Sequence, residues 1–470
     1  MSYELDLSGP LPTGRVVVEA SAGTGKTYSL TALIVRHVAE RNILASDLLV
    51  VTFTRAAAAE LRDRTRHMLV DAAAVMRHGE VPSKFPWMQV LLEADADERD
   101  QRRHRVDQAV SSFDDATITT IHGFCQQALR QLGLRAGTRL GSELVENTAE
   151  LVDEVCRDML VTALVEDPHA LSWRSGGPMS PLVPPAKVLD LLSTTVTTLL
   201  GNPGASAVPD PAVVTPAQGD THQRFVHWVD LVHSATAEVR SRREARQQLG
   251  YDDLVTRLRD AVTHPEGGPS VVAALSARYR LVLVDEFQDT DPVQWQIFDT
   301  AFRGDLVVVG DPKQAIYRFR GADVHAYLAA TRGASTLQLM TNYRSDGDLI
   351  DAVGSLVTGV ELGHERIVAA PLRPAPTAMA RALTPGSPVA LRWLRRDERL
   401  LTARGAVSTP LMRRAVLTDL AGVAIDLLDH HRLENGESDR ALDPGDLAVL
   451  VPTHTLAEAV VAVLDRAGIP

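Results

Sequence analysis

The sequence predicts an α/β fold built on a parallel sheet, and three stretches predict it. Val16-Val-Val18 runs directly into a glycine-rich loop and then a helical pattern. Asp47-Leu-Leu-Val-Val-Thr-Phe-Thr54 is a second apolar run that leads into a helix, and Leu281-Val-Leu-Val284 is a third that ends on an acidic pair. Strands that alternate with helices in this way build parallel units, because a parallel return needs a crossover helix.

The first stretch carries chemistry. In Glu19-Ala-Ser-Ala-Gly-Thr-Gly-Lys-Thr27 the residues Ala20, Ser21, Ala22, Gly23, Thr24 and Gly25 form a loop whose amides, with the following helix N-terminus, suit an anion. Lys26 is then expected on the terminal phosphates of a nucleotide and the Thr27 hydroxyl on magnesium, the division of labour of a P-loop. Ala20 stands where the strict pattern has its first glycine. Leu30, Leu33, Ile34 and Val38 mark the buried face of the helix. Lysine is scarce: Lys26, Lys84, Lys187 and Lys313 are the only four among 48 basic residues, and two of them lie in motifs, as expected where a compact point charge is wanted.

Downstream, a helix is expected from Arg55 to Arg66. Phe53, Thr54 and Arg55 then lie at a strand's carboxyl end, where open α/β sheets bind ligands; for Phe53 a plain core role is the alternative. Ala116 to Cys125 alternates like a strand and ends on His122-Gly123, a position where histidine is commonly structural. Residues from about 140 to 250 read as a helical insertion broken by Gly/Pro-rich stretches, and Asp252-Asp253 read as first-turn residues that suit a helix dipole. Asp285 and Glu286 end the third apolar run; Asp285 is expected to hold magnesium through water and Glu286 to orient or deprotonate an attacking water. After Asp305 to Gly310, Gln314 is a neutral group suited to sensing a γ-phosphate. Tyr317, Phe319 and Arg320 alternate aromatic and basic character, as single-stranded nucleic acid requires, in a chain that is only 4% aromatic. In Asn342-Tyr-Arg-Ser345, Tyr343 is expected to stack on adenine and Arg344 to contact the γ-phosphate.

Bulk properties bound the reading. The chain has 470 residues, enough for two or three domains, and its 45% hydrophobic and 23% charged content is that of a globular protein. A net charge of −12 makes any nucleic-acid surface local. Two cysteines at Cys125 and Cys156 offer neither a disulfide framework nor metal-ligand spacing, so a reducing, cytoplasmic setting is expected. The N-terminus lacks a signal-peptide pattern, and no apolar run reaches the roughly 18 residues of a membrane helix.

These segments, in this order, resemble the superfamily one helicases of the UvrD type, and the form Glu-Ala-Ser-Ala-Gly-Thr-Gly-Lys-Thr is most similar to its RecB branch. The resemblance is carried by the P-loop, Thr52-Phe-Thr-Arg-Ala-Ala-Ala-Ala-Glu-Leu61, Thr119-Thr-Ile-His-Gly-Phe-Cys125, Asp285-Glu-Phe-Gln-Asp-Thr290, Gly310 to Ala322 and Asn342-Tyr-Arg-Ser345. It implies a RecA-like ATP-binding domain over 1–70, 106–135 and 250–340, a helical accessory insertion over 71–105 and 136–249, and a partial second RecA-like domain over 341–470. It implies ATP and Mg²⁺ held by Lys26, Thr27, Asp285, Glu286, Gln314 and Arg344, with Tyr343 beside adenine. Phe53, Arg55, His122, Tyr317, Phe319 and Arg320 would line a single-stranded DNA track. Movement would be 3′ to 5′, on DNA ends, with RecC-like and RecD-like subunits and no membrane. Leu447-Ala-Val-Leu-Val-Pro452 resembles a strand, and Leu456 to Ala467 a helix, early in the second domain.

The departures shape the expectation. No glutamine precedes the P-loop to read adenine, and the chain stops at Gly468-Ile-Pro470 before the family's later motifs and nuclease domain. Ala329 to Ala334 echoes one later motif at the wrong place. A fragment of a motor is therefore expected. A nucleotide- and DNA-binding scaffold that does not unwind, and a UvrD- or AddA-like repair helicase, are the alternatives.

Overall fold

A computed structural model of the chain describes residues 3–136, 143–144, 149–166, 184–201, 220–246, 248–316, 323–379, 381–394, 407–435 and 438–470. Its described strands, in chain order, are β1 (Tyr3–Glu4), β2 (Arg15–Ala20), β3 (Leu48–Thr52), β4 (Thr117–Thr120), β5 (Glu143–Leu144), β6 (Gln248–Leu249), β7 (Leu281–Val284), β8 (Asp305–Gly310), β9 (Ser335–Leu339), β10 (Thr341–Asn342), β11 (Arg373–Pro374), β12 (Arg381–Thr384), β13 (Arg432–Asn435) and β14 (Ser438–Ala441). By its contacts the chain divides into two units: Met1–Ala20 with Lys26–Leu339, and Ser21–Gly25 with Met340–Pro470.

In the first unit, seven strands form one parallel sheet in the order β1-β9-β2-β8-β7-β3-β4. Its central strands are apolar throughout because both faces are covered. Val16 and Val18 of β2 and Leu48 and Val50 of β3 face one core; Val17, Leu49 and Val51, one residue out of phase, face the other. Helices Lys26–Arg41, Arg55–His78 and Ala96–Ser111 cover the first face. Helices Ile121–Leu132, Tyr251–Thr263, Gly268–Arg278 and Pro292–Ala301 cover the second. The helix expected to end at Arg66 continues to His78, because Leu69, Ala72, Ala73 and Val75 prolong its buried stripe until Gly79 caps it in the left-handed region. Trp87, Met88 and Leu91 belong to the same core. Helices Ala149–Glu166, Pro185–Gly201 and Asp220–Ala245 build a third, separate core around Val155, Leu192 and Val232.

The second unit has a short parallel pair, β10–β11, and an antiparallel sheet, β12-β13-β14, with helices Gly347–Val357, Thr409–His430 and His454–Arg466. The expected helix near Leu456 is present, but the expected strand Leu447–Pro452 is not. No described strand pairs with it, and Leu450 is 96% exposed. A strand needs a neighbour for its backbone donors and acceptors, and apolar sequence alone does not supply one. No described helix is long and apolar enough to cross a membrane.

Candidate functional site

Because the sheet is parallel, the carboxyl ends of β2, β3, β4, β7 and β8 lie along one edge, and nearly every residue expected to do chemistry follows one of them. Lys26 opens the helix after β2, and its Nζ lies 2.6 Å from Glu286 Oε2. Among the described residues, Glu286 is one of two non-glycine residues with positive φ, at 51°, a backbone state that costs about 1 kcal/mol or more and is held only by surrounding bonds. One of those is a hydrogen bond that Gln288 Nε2 donates to the same oxygen, 2.7 Å.

Gln288 extends the chain further. Its Oε1 accepts from the Asp311 amide at 3.0 Å, and Asp311 Oδ2 accepts from Gln314 Nε2 at 2.8 Å. Lys313 Nζ pairs with the other Asp311 oxygen at 2.6 Å. Lys26, Glu286, Gln288, Asp311 and Gln314 are thus joined by direct contacts. Burial pushes the Asp285 carboxyl up to about 6, the Glu286 charge adds to this, and Lys26 and the hydrogen bond from the Glu286 amide oppose it. Asp289 is raised to about 6 for the same first two reasons, and its buried Oδ1 has no partner among the described residues.

In the second unit the loop Ser21–Gly25 is bound to the Asn342 segment. The Tyr343 amide donates to Gly23 O at 2.8 Å, and Asn342 Nδ2 donates to Ala22 O at 3.1 Å. Asn342 Oδ1 accepts from the amides of Arg344 and Ser345, 2.8 and 2.9 Å, a local turn of the kind asparagine favours. Thr24 closes the loop on itself through Oγ1 to Ser21 O, 2.8 Å. Gly23 has φ +79°, and a Cβ there would lie 2.7 Å from Arg344 Cβ. The side chains of Tyr343 and Arg344 are exposed.

Phe53, Arg55 and His122 converge on a cleft of about 590 Å³ with Tyr251. Phe53 is half-buried on its wall. His122 lies in the first turn of helix Ile121–Leu132, since Thr120 Oγ1 caps that helix by accepting from the Gly123 amide. His122 Nε2 lies 3.7 Å from Asp252 Oδ1, and its ring meets Tyr251 edge-on. Arg55 donates to Tyr251 Oη at 2.9 Å. The aspartate pair thus has specific partners: Asp253 Oδ2 accepts from the Gly250 amide and from Arg243. Tyr317, Phe319 and Arg320 lie outside the described residues.

Sequence reasoning missed Gln288, Asp311, Asn342, Tyr251 and Asp252 as site residues. Asn342, heading a polar run after a strand, carried a turn signal; Gln288 carried none beyond its place two residues after Glu286.

A parallel sheet with a glycine loop after β2 and an acidic pair after β7, and with β8 between those two strands, defines a P-loop protein of RecA-like type. Comparison with known proteins narrows the class. The chain belongs to the UvrD/REP helicase family, whose N-terminal domain matches residues 8–334. It is similar to the RecBCD enzyme subunit RecB of Mycolicibacterium smegmatis, 37% identical over 99% of this chain and 40% of that protein. The RecB subunit of Mycobacterium tuberculosis (strain H37Rv) is 33% identical over 99% of the chain and 41% of its own length, and that of Escherichia coli K12 is 26% identical over 73% and 38%. The chain spans about two fifths of the length of these relatives. Family membership implies nucleotide binding with a divalent metal.

Proposed function

We propose that this chain is the motor portion of a RecB-type, ATP-dependent 3′-to-5′ DNA helicase that acts in double-strand break repair and recombination. The observation that carries the reading is the contact chain from Lys26 through Glu286, Gln288 and Asp311 to Gln314. It ties a phosphate-binding cation, a candidate base and a candidate phosphate sensor into one unit. ATP bound at the loop would draw Lys26 toward its phosphates. Glu286 Oε2 would lose one of its two donors and be free to orient and deprotonate a water for in-line attack on the γ-phosphate. Lys26, with Arg344, would balance the charge that develops. The residues fit Mg²⁺: Thr27 offers a hydroxyl, and Asp285 a buried carboxyl whose pKa is raised by burial and by the neighbouring Glu286 charge, so a cation beside it would be favoured. The ion would supply electrostatic stabilisation of the phosphates. Tyr343 would stack on adenine.

Single-stranded DNA would lie in the cleft of Phe53, Arg55 and His122, with Tyr317, Phe319 and Arg320 as further contacts. Three ring systems and two guanidinium groups, those of Arg55 and Arg62, on one cleft would supply the stacking and phosphate contacts such a strand needs. The domains would divide as the sequence suggests, 1–70, 106–135 and 250–340 against an insertion of 71–105 and 136–249, with 341–470 beginning a second RecA-like domain. The separate core of the three long insertion helices supports the 136–249 part of this division, whereas the 71–105 part is opposed by its packing into the sheet's own core. RecC-like and RecD-like partners and a cytoplasmic location belong to the same proposal. Steady-state ATP hydrolysis with and without single-stranded DNA, beside Lys26→Ala, tests it. DNA-stimulated turnover that vanishes in the variant is expected; nucleotide binding without any turnover would favour a scaffold.

A further inference from the structure

The amino-terminal ends of the strands, opposite the edge that carries Lys26 and the acidic pair, hold a second concavity. It lies where β7 and β8 begin and has a volume of about 380 Å³. Tyr279, Val282 and Phe302, all buried, form its floor, and Arg41, Arg280 and Arg303 stand around it with Asp305. Three guanidinium groups against one lining carboxylate make a positive spot on a chain whose net charge is −12.

Two of the three forks are largely uncommitted. Arg280 donates to Asn42 O at 3.1 Å and pairs with Asp47 at 3.3 Å. Arg41 is 3.9 Å from Asp305 Oδ2, too long for a hydrogen bond, and Asp305 Oδ1 is taken by the Gly14 amide at 2.7 Å. Arg303 is exposed and has no hydrogen bond or ion pair among the described residues. Behind this corner, and not among the residues that line it, His37 is fully buried, its Nε2 has no partner among the described residues, and Asp305 and Arg41 are among the charges that act on it.

We propose that this pocket docks an acidic side chain, flanked by an apolar one, presented by a segment of a partner polypeptide. A guanidinium fork matches a carboxylate two bonds at a time, and the aromatic floor suits the apolar neighbour. The surroundings argue against a nucleic-acid backbone. Arg280 is offset by Asp47, and Glu98 offsets Arg102 and Arg105, the latter bound to Ala39 O two residues before Arg41. The charge is therefore a spot, where a phosphodiester chain needs a track.

The test is fluorescence anisotropy of a labelled peptide, Gly-Asp-Leu-Glu-Gly, with the full chain, Arg303→Glu and the double variant Arg41→Gln/Arg303→Gln, beside labelled oligothymidylate. Peptide binding that weakens about tenfold or more in each variant and with added salt, at unchanged melting temperature, is the expected result. Three outcomes overturn the proposal: no peptide binding by the wild-type chain, equal peptide binding by wild type and variants, or loss in the variants of oligothymidylate binding alone.

Discussion

Gly23→Ala puts the loop's architecture to a quantitative test. The new methyl carbon would lie 2.7 Å from Arg344 Cβ and 2.8 Å from Asn342 Oδ1. Neither neighbour gives way easily. Arg344 Cβ is fixed to the backbone, and Asn342 is held by its three hydrogen bonds to Ala22 O and to the amides of Arg344 and Ser345. Overpacking of this kind costs about 1–3 kcal/mol. The left-handed torsion, φ +79°, adds about 1–2 kcal/mol for a residue with a Cβ. Together, about 2–5 kcal/mol opposes the native loop, which weakens any ligand that needs it by roughly thirtyfold or more. Gly14→Ala is the control: its φ is +73° but nothing lies within 4 Å, so only the torsional part is lost. Titration with a fluorescent ATP analogue and guanidinium unfolding of both variants measure the two parts. Wild-type nucleotide affinity in Gly23→Ala, with a stability loss no larger than that of Gly14→Ala, would refute the packing argument.

Gln288→Ala strands the buried Asp311 amide and removes one donor from Glu286, a loss of about 1–3 kcal/mol in denaturant unfolding; under the proposed mechanism it also uncouples Gln314, so ATP turnover falls more than ATP affinity. Tyr251→Ala removes a wall of the cleft and the partner of Arg55, and should weaken single-stranded DNA binding by about 1–3 kcal/mol with nucleotide affinity unchanged, read by anisotropy. His37 gives a pH signature. Burial lowers its pKa from 6.5, so below that pH the unfolded chain takes up a proton that the folded chain refuses, and stability is lost as pH falls. Asp285 and Asp289, raised to about 6, act in the opposite direction, since the folded state binds their protons first. The readable quantity is therefore the stability difference between wild type and His37→Leu, which should move against wild type by up to about 1.4 kcal/mol per pH unit below 6.5; a difference that is flat from pH 7 to 5 contradicts the assignment.

The extent to which the site was legible follows from how local each feature is. Lys26, Asp285, Glu286 and Gln314 were readable because each sits at a strand end inside a short pattern. His122 was placed on a strand end and proved to be helical, a boundary decided by the Thr120 cap. Gln288 was invisible because its role is a bond to Asp311, in another strand's loop.

What the sequence by itself determined is most of the run of strands, loops and helices in the first unit and the residue types placed at each strand end, since backbone preference and hydrophobic period act over a few residues. Only the tertiary structure decided which ends meet. Lys26 reaches Glu286 across 260 positions because the sheet order sets β8 alone between their strands. Tyr251 and Asp252 join Phe53 and His122 because helix Tyr251–Thr263 packs against helix Ile121–Leu132. The apolar run Leu447–Pro452 stays unpaired because pairing belongs to a neighbour and never to a segment alone.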